Sequence, residues 1–95
     1  MTAYLVVELA ITDPVEFARY RELVPPTIAA YDGRYLVRGG ALVSLEGDWQ
    51  PERVTIIAFP SAERARAWWE SPEYAEAKAI RQAAAATRMV IVEGI

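Results

Sequence analysis

The sequence predicts an α+β domain, in which one four-stranded antiparallel sheet carries helices on one of its faces. Three observations lead to this prediction. Runs rich in valine, isoleucine and leucine alternate with segments of helical spacing along the 95 residues. Their order is strand, helix, strand, strand, helix, strand, which commonly folds as such a sheet with the first and third strands at its centre. No linker or tandem repeat divides the chain, so we expect residues 1–95 to form a single domain.

Clear signals mark where the predicted elements begin and end. Asp13 before Pro14 is a helix cap followed by a proline at the first helical position, and Ser71 before Pro72 repeats this signal. The turn residues 47–51 separate the second strand from the third. The predicted strands cover residues 3–11, 34–46, 53–59 and 87–94, and the predicted helices cover residues 14–30, 62–70 and 72–86.

Two places inside these elements are expected to be irregular. Pro25 and Pro26 predict a kink or a break in the first helix, because an interior proline removes a hydrogen bond and clashes with the preceding turn. Gly39 and Gly40 fit either a tight hairpin or a bulge that bends one long strand, and we favour the bulge. A phosphate-binding loop is disfavoured here, since strand rather than helix follows the glycines. We expect at least one of the two glycines to have a positive φ or to lie in a bulge.

The composition narrows the classes of function. A net charge of −3, with nine arginines and one lysine scattered along the chain, argues against a nucleic-acid-binding face and against binding to an anionic membrane. The chain has no cysteine and no histidine, which excludes Ser-His-Asp and Cys-His catalysis. We therefore expect no metal and no cofactor. No secretory signal and no apolar run of spanning length is present, so we expect a cytoplasmic protein.

Both faces of the predicted central strands are apolar. In the third strand Val54 and Ile56 lie on one face, while Ile57 and Phe59 lie on the other. The helices cover only one face of the sheet, and the chain has nothing left to cover the second. A homodimer that pairs sheet to sheet is the simplest solution.

Arg38 is the first candidate for contact with a ligand. It follows an apolar strand and stands beside the glycine pair, where a charge needs a partner if it is enclosed. The partner is a carboxylate elsewhere in the chain, a residue of a second copy or a ligand anion, and a structural ion pair is favoured over a ligand.

Large aromatic side chains and two further charged residues complete the candidate set. Trp68 and Trp69 are adjacent on a helix and point about 100° apart, so we expect one in the core and the other at a groove or an interface. Each candidate also has a structural interpretation, as core, dimer contact or solvated edge. The full set of candidates is Arg38, Trp49, Trp69, Tyr74, Arg81 and Glu93.

Longer motifs carry a resemblance to a known family. These are I-x-D-P at residues 11–14, YxGRYLVRGG at 31–40, LEGDWxPxR at 45–53, FPS at 59–61, AWWxSPEY at 67–74 and VEG at 92–94. Over nearly its whole length the chain resembles the domain of unknown function 1330 family. The resemblance implies a ferredoxin-like fold of the dimeric α/β-barrel superfamily. It implies no established reaction, and relatives with the same barrel include cofactor-independent monooxygenases, lactone isomerases and ligand-sensing domains.

Three hypotheses for the function remain. The leading one is binding of a small molecule in a cleft between the sheet and the helices. The second is a cofactor-independent enzyme, of the oxygenase or isomerase type, that acts on a small aromatic or carbonyl substrate. The third is a purely structural dimer. A cleft that holds a carboxylate with a raised pKa would favour the enzyme, a cleft without a titratable group would favour binding, and a closed core would favour the structural dimer.

Overall fold

The computed structural model describes residues 1–95 and contains one sheet and three helices. All neighbouring strands are antiparallel and the sheet order is β2-β3-β1-β4, so the predicted fold class and the central places of β1 and β3 are confirmed. The elements are β1 (Ala3–Ile11), α1 (Pro14–Ala30), β2 (Arg34–Arg38), β3 (Arg53–Phe59), α2 (Ala62–Glu70), α3 (Pro72–Ala84) and β4 (Ala85–Glu93). No helix is long and apolar enough to cross a membrane.

The core lies between the helices and the inner face of the sheet. Alternation along β1 directs Leu5, Val7 and Leu9 inward, where all three are buried, and Ile57 of β3 points the same way. The helices contribute Phe17, Val24, Ile28, Ala65, Trp68, Tyr74 and Ala77 to the same cluster. Because Trp68 is 1% exposed, it is the core member of the tryptophan pair.

The outer face of the sheet is not covered by a helix. Val6 of β1 lies between its register partners, Ile56 on β3 and Val90 on β4. The exposed fraction of Val90 is 62% and that of Val92 is 49%. An apolar surface formed by three adjacent strands is therefore open to solvent in the single chain.

Of the kink or break predicted in α1, the break is wrong, because the helix continues from Pro14 to Ala30 through both prolines. Pro25 has no backbone N–H, so the carbonyl oxygen of Arg21 loses its usual helical donor. That oxygen instead accepts a hydrogen bond from Nη2 of Arg38 at 3.4 Å. The helix is also held by its buried residues, and this tertiary packing outweighs the local cost of the prolines.

The predicted extent of the second strand is also wrong. The β2 strand ends at Arg38, and residues 39–52 form an exposed segment without regular structure. The amide of Gly39 still donates to the carbonyl of Val54, but Gly39 has φ = 68°, which turns the chain away from β3. The positive φ was predicted. The register irregularity lies between Tyr35 and Val37 rather than at the glycine pair.

The boundary between α3 and β4 lies two residues earlier than predicted. The carbonyl oxygen of Ala84 accepts hydrogen bonds from the amides of Thr12 and Asp13, and Ala85 is paired with Ile11 in the sheet. These tertiary bonds end the helix although the alanines that follow are strong helix formers. Two residues predicted as helix thus belong to the edge strand.

Candidate functional site

A recess between α1 and the inner face of the sheet is the candidate site. Its walls are mainly apolar, and its volume is about 30 Å³. That volume is enough to hold at least one water molecule. The lining residues with charged or hydroxyl groups are Tyr20, Arg21, Tyr35, Arg38, Arg53 and Thr55. We call this recess the arginine cavity.

Arg38 is positioned by the last residues of β2 and by the unusual backbone of α1. Its guanidinium carbon lies 4.5 Å from the centroid of the Tyr35 ring, a cation–π distance. Its Nη2 donates to the Arg21 carbonyl that Pro25 leaves free. The two contacts hold the guanidinium over the space between β2 and α1.

Arg53 reaches the same space from the start of β3. Arg38 is the register partner of Thr55, and Arg53 precedes Thr55 by two residues, so Arg38 and Arg53 are diagonal neighbours on one face. A Cβ atom on Gly39 would collide with the guanidinium of Arg53. Gly39 therefore gives Arg53 room as well as turning the chain.

The three arginines of the cavity have no carboxylate partner within the chain. The ion pairs of the protein are Arg19–Glu16, Arg64–Asp32 and Arg88–Glu8, and none of them includes Arg21, Arg38 or Arg53. Partial burial, followed by the positive charges of Arg21 and Arg38, lowers the pKa of Arg53 below its ordinary value. The cavity mouth thus concentrates positive charge in a protein whose net charge is negative.

The hydroxyl groups of the cavity stay protonated at neutral pH. Burial is the main cause that raises the pKa of Tyr20, and the neighbouring Tyr74 adds to it. Burial also raises the pKa of Tyr35, although the charge of Arg38 opposes this effect. No aspartate or glutamate lines the cavity. The site offers hydrogen-bond donors and positive charge but no general base.

Trp49 and Trp69 lie outside the arginine cavity. Trp49 belongs to the exposed segment, and its Nε1 donates to Oε1 of Glu8 at 3.2 Å on the outer face of the sheet. The hydrogen bonds from Arg88 and then from Trp49 lower the pKa of Glu8. Trp69 is 38% exposed and carries Nζ of Lys78 at 4.0 Å from its ring centroid.

Tyr74 and Arg81 are both buried and lie behind the cavity rather than in its wall. The Tyr74 ring stacks on Trp68 with 4.0 Å between the ring centroids, and Nε of Arg81 donates to the Tyr74 hydroxyl at 3.1 Å. The same hydroxyl is 3.0 Å from the hydroxyl of Tyr20, which does line the cavity. Tyr74 and Arg81 therefore reach the site only through Tyr20.

Glu93 is exposed at the end of β4, where it is paired with Ala3. It is remote from the three arginines and does not line their cavity. The structure therefore brings one sequence candidate, Arg38, directly to the cavity, connects Tyr74 and Arg81 to it, and leaves Trp49, Trp69 and Glu93 elsewhere.

Sequence reasoning missed Arg21, Arg53, Tyr20 and Tyr35. One signal was available for Arg53, because it shares a strand face with the residue that pairs with Arg38. Finding it required the register of β2 on β3, which the turn residues alone did not give. Whether Arg21 and Tyr20 reach the cavity depends on how α1 lies across the sheet. Their positions in the helix sequence do not distinguish them from solvent-exposed residues.

Solved structures of low sequence identity share this fold. A protein of unknown function from Rhodopseudomonas palustris is 20% identical with a TM-score of 0.80, over 99% of this chain and 82% of that one. SnoaB, a cofactor-independent oxygenase from Streptomyces nogalater, is 17% identical with a TM-score of 0.64, over 99% of this chain and 93% of that one. A dimeric ferredoxin-like protein of unknown function from Bacteroides fragilis is 13% identical with a TM-score of 0.65, over 98% and 96% of the two chains.

At these identities the solved structures carry the fold alone, which is ferredoxin-like. No curated protein sequence matches the chain. The family model of the domain of unknown function DUF1330 matches residues 2–95. The match covers nearly the whole chain, as the sequence motifs predicted, and the protein therefore belongs to the DUF1330 family.

Proposed function

We propose that the protein binds a small organic anion, a carboxylate or an enolate with a short apolar body, in the arginine cavity. The observation that carries the proposal is the meeting of Arg21, Arg38 and Arg53 beside apolar walls without a carboxylate. A guanidinium group is a planar fork of donors that suits a carboxylate, and such charged hydrogen bonds are the strong ones. Apolar walls with a few placed polar groups are typical of small-molecule sites.

The size of the cavity limits the ligand. Its volume is small, about 30 Å³, so only a short apolar group fits while α1 stays in place. The carboxylate would lie at the mouth on the arginines, and the apolar part would point inward. Short-chain carboxylates such as propionate fit this description, whereas an aromatic ring would require α1 to move away from the sheet.

Binding is favoured over catalysis because the cavity lacks a base. A cofactor-independent oxygenase or isomerase is the second candidate, since three guanidinium groups would also stabilise an enolate, and one solved relative of the fold is such an oxygenase. Proton abstraction needs a base within hydrogen-bond reach of the substrate. Glu46 and Glu93 do not line the cavity, and the raised pKa of Tyr20 keeps that hydroxyl protonated.

We also propose that two copies pair through the outer faces of their sheets. The support is the uncovered apolar surface around Val6, Val90 and Val92, because exposed apolar patches of this kind usually mark contact with another protein. A pairing of identical faces closes the assembly at two copies. Light scattering at micromolar concentration is expected to give about twice the chain mass of 10.6 kDa. A mass of one chain would refute the pairing.

The ligand proposal is tested with propionate as the probe and propionamide as its neutral isostere. Propionate is expected to bind the wild type at millimolar concentration in NMR titrations at constant ionic strength, and propionamide at least tenfold more weakly. Arg38→Gln is expected to weaken propionate about tenfold or more, because a hydrogen bond to a charged group contributes roughly 1.5–3 kcal/mol.

Arg64→Gln is the matched control, since it removes an arginine that is already paired with Asp32 outside the cavity. It is expected to leave propionate affinity unchanged. Equal binding of propionate and propionamide, or equal effects of the two variants, would contradict a charge-selective site at Arg38.

A further inference from the structure

A hydrogen-bonded row of three side chains, of which two are buried and the third is half-buried, leads from the interior to the arginine cavity. Nε of Arg81 lies 3.1 Å from the hydroxyl of Tyr74, and that hydroxyl lies 3.0 Å from the hydroxyl of Tyr20. Arg81 is 4% exposed and Tyr74 is 0% exposed, while Tyr20 lines the cavity. No carboxylate forms an ion pair with Arg81.

The chemistry of these groups determines which of them donates in each hydrogen bond. The guanidinium group of arginine donates and never accepts, so the Tyr74 oxygen is the acceptor in its bond with Arg81. The Tyr74 proton then needs an acceptor of its own, since a buried hydroxyl without one is costly. The Tyr20 oxygen is the acceptor within hydrogen-bond distance. Arg81 therefore donates to Tyr74, and Tyr74 donates to Tyr20.

This direction leaves the Tyr20 proton free for the cavity. The Tyr20 oxygen already accepts from Tyr74, and no hydrogen bond from the Tyr20 hydroxyl to another group of the chain accompanies it. The positive charge of Arg81, which has no carboxylate partner, polarises both hydrogen bonds in the same sense. The Tyr20 hydroxyl is therefore a stronger donor. Burial is the main cause that raises the pKa of Tyr20, so this hydroxyl stays protonated.

We infer that Tyr20 donates a hydrogen bond to the ligand of the arginine cavity, and that Arg81 and Tyr74 fix it in this role from behind. The inference rests on the proposed function and restricts the class of ligand that the cavity binds. The ligand must present an acceptor oxygen to Tyr20 while the arginines hold its negative charge. Carboxylates and enolates meet both conditions, whereas a ligand that places an N–H or O–H donor at this point is disfavoured.

The first test is Tyr20→Phe in NMR titrations with propionate. The variant is expected to weaken binding about tenfold, the usual effect of removing one hydrogen bond to a charged group. Tyr31→Phe is the matched control, because it removes a tyrosine hydroxyl that bonds to Glu73 outside the cavity. It is expected to leave the affinity unchanged. Thermal melting of both variants separates a loss of the donor from a loss of the fold.

The second test is Tyr74→Phe. Whether propionate affinity falls or rises shows which hydroxyl donates in the hydrogen bond between Tyr74 and Tyr20. If Tyr74 donates to Tyr20, its removal takes away the bond that orients and polarises Tyr20, and propionate affinity falls about two- to threefold. If instead Tyr20 donated to Tyr74, the same variant would release the Tyr20 proton to the ligand, and affinity would rise. A rise overturns the inference.

The outcomes separate this inference from the proposed function. Saturable propionate binding that depends on Arg38 but not on Tyr20 would overturn the role of Tyr20 and leave the arginine site standing. The absence of propionate binding to the wild type would overturn the proposed function and the inference with it. A tenfold loss in Tyr20→Phe with unchanged melting, together with a loss in Tyr74→Phe, supports both.

Discussion

The Ile57→Asp variant is expected to lose at least about 4 kcal/mol of stability and to be largely unfolded at room temperature. Ile57 is 4% exposed and points from β3 into the core between the sheet and the helices. The substitution removes a large apolar side chain and encloses a carboxylate without a partner, two of the mechanisms behind the largest single-site effects. Urea unfolding followed by tryptophan fluorescence measures the change.

The matched variant on the other face is Val6→Asp. Val6 lies one residue from Leu5, the register partner of Ile57, but its side chain points to the outer surface. We expect the single domain to fold with a change of about 1 kcal/mol or less, and the proposed dimer to dissociate about a hundredfold more readily. Sedimentation at several concentrations follows the association. Similar unfolding of both variants, or a stable dimer in Val6→Asp, would show that the faces are wrongly assigned.

Replacement of Gly39 by valine is expected to cost about 1–3 kcal/mol, the second large effect. The main cause is φ = 68°, a backbone conformation that strains a β-branched residue. The Arg53 guanidinium, which ends a flexible side chain, would also have to move aside and adds a smaller cost. Chemical denaturation gives the loss. Addition of Arg53→Ala to Gly39→Val is expected to recover part of it, because the second change removes the colliding group.

Valine substitutions at two other glycines distinguish the cost of backbone strain from the cost of steric contact. A Cβ atom on Gly47 or on Gly40 meets nothing within 4 Å, and of these two only Gly47 has a positive φ, of 83°. Gly47→Val is therefore expected to cost about 1–2 kcal/mol from strain alone, and Gly40→Val less than about 0.5 kcal/mol. Equal costs at Gly39 and Gly40 would refute the role given to Gly39.

The fold was predictable because local signals and hydrophobic periodicity agree over most of the chain. The caps Asp13 and Ser71 each accept a backbone hydrogen bond at the start of the helix that follows, as the sequence indicated, and Ser61 does the same for α2. The failures occurred where tertiary contacts overrode local rules. Packing carries α1 through Pro25, and sheet pairing ends α3 at Ala84.

The candidate site was predictable only in part. Arg38 was identified because a charge beside two glycines is unusual inside an apolar strand. Its neighbour Arg53 required the strand register, and Arg21 required the position of α1 across the sheet. Trp49, Trp69 and Glu93 were chosen for residue type, and residue type does not determine on which side of the sheet a side chain lies.

The side-chain NMR signals of the arginines provide the most direct test of the anion site. The Nε–Hε signals of Arg21, Arg38 and Arg53 are expected to shift in a saturable way as propionate is added at constant ionic strength. Arg19, Arg64 and Arg88, which are already paired with carboxylates, serve as controls within the same spectrum and are expected to stay unchanged. Shifts that are equal in all six arginines, or that fail to saturate, would contradict a built anion site in the cavity.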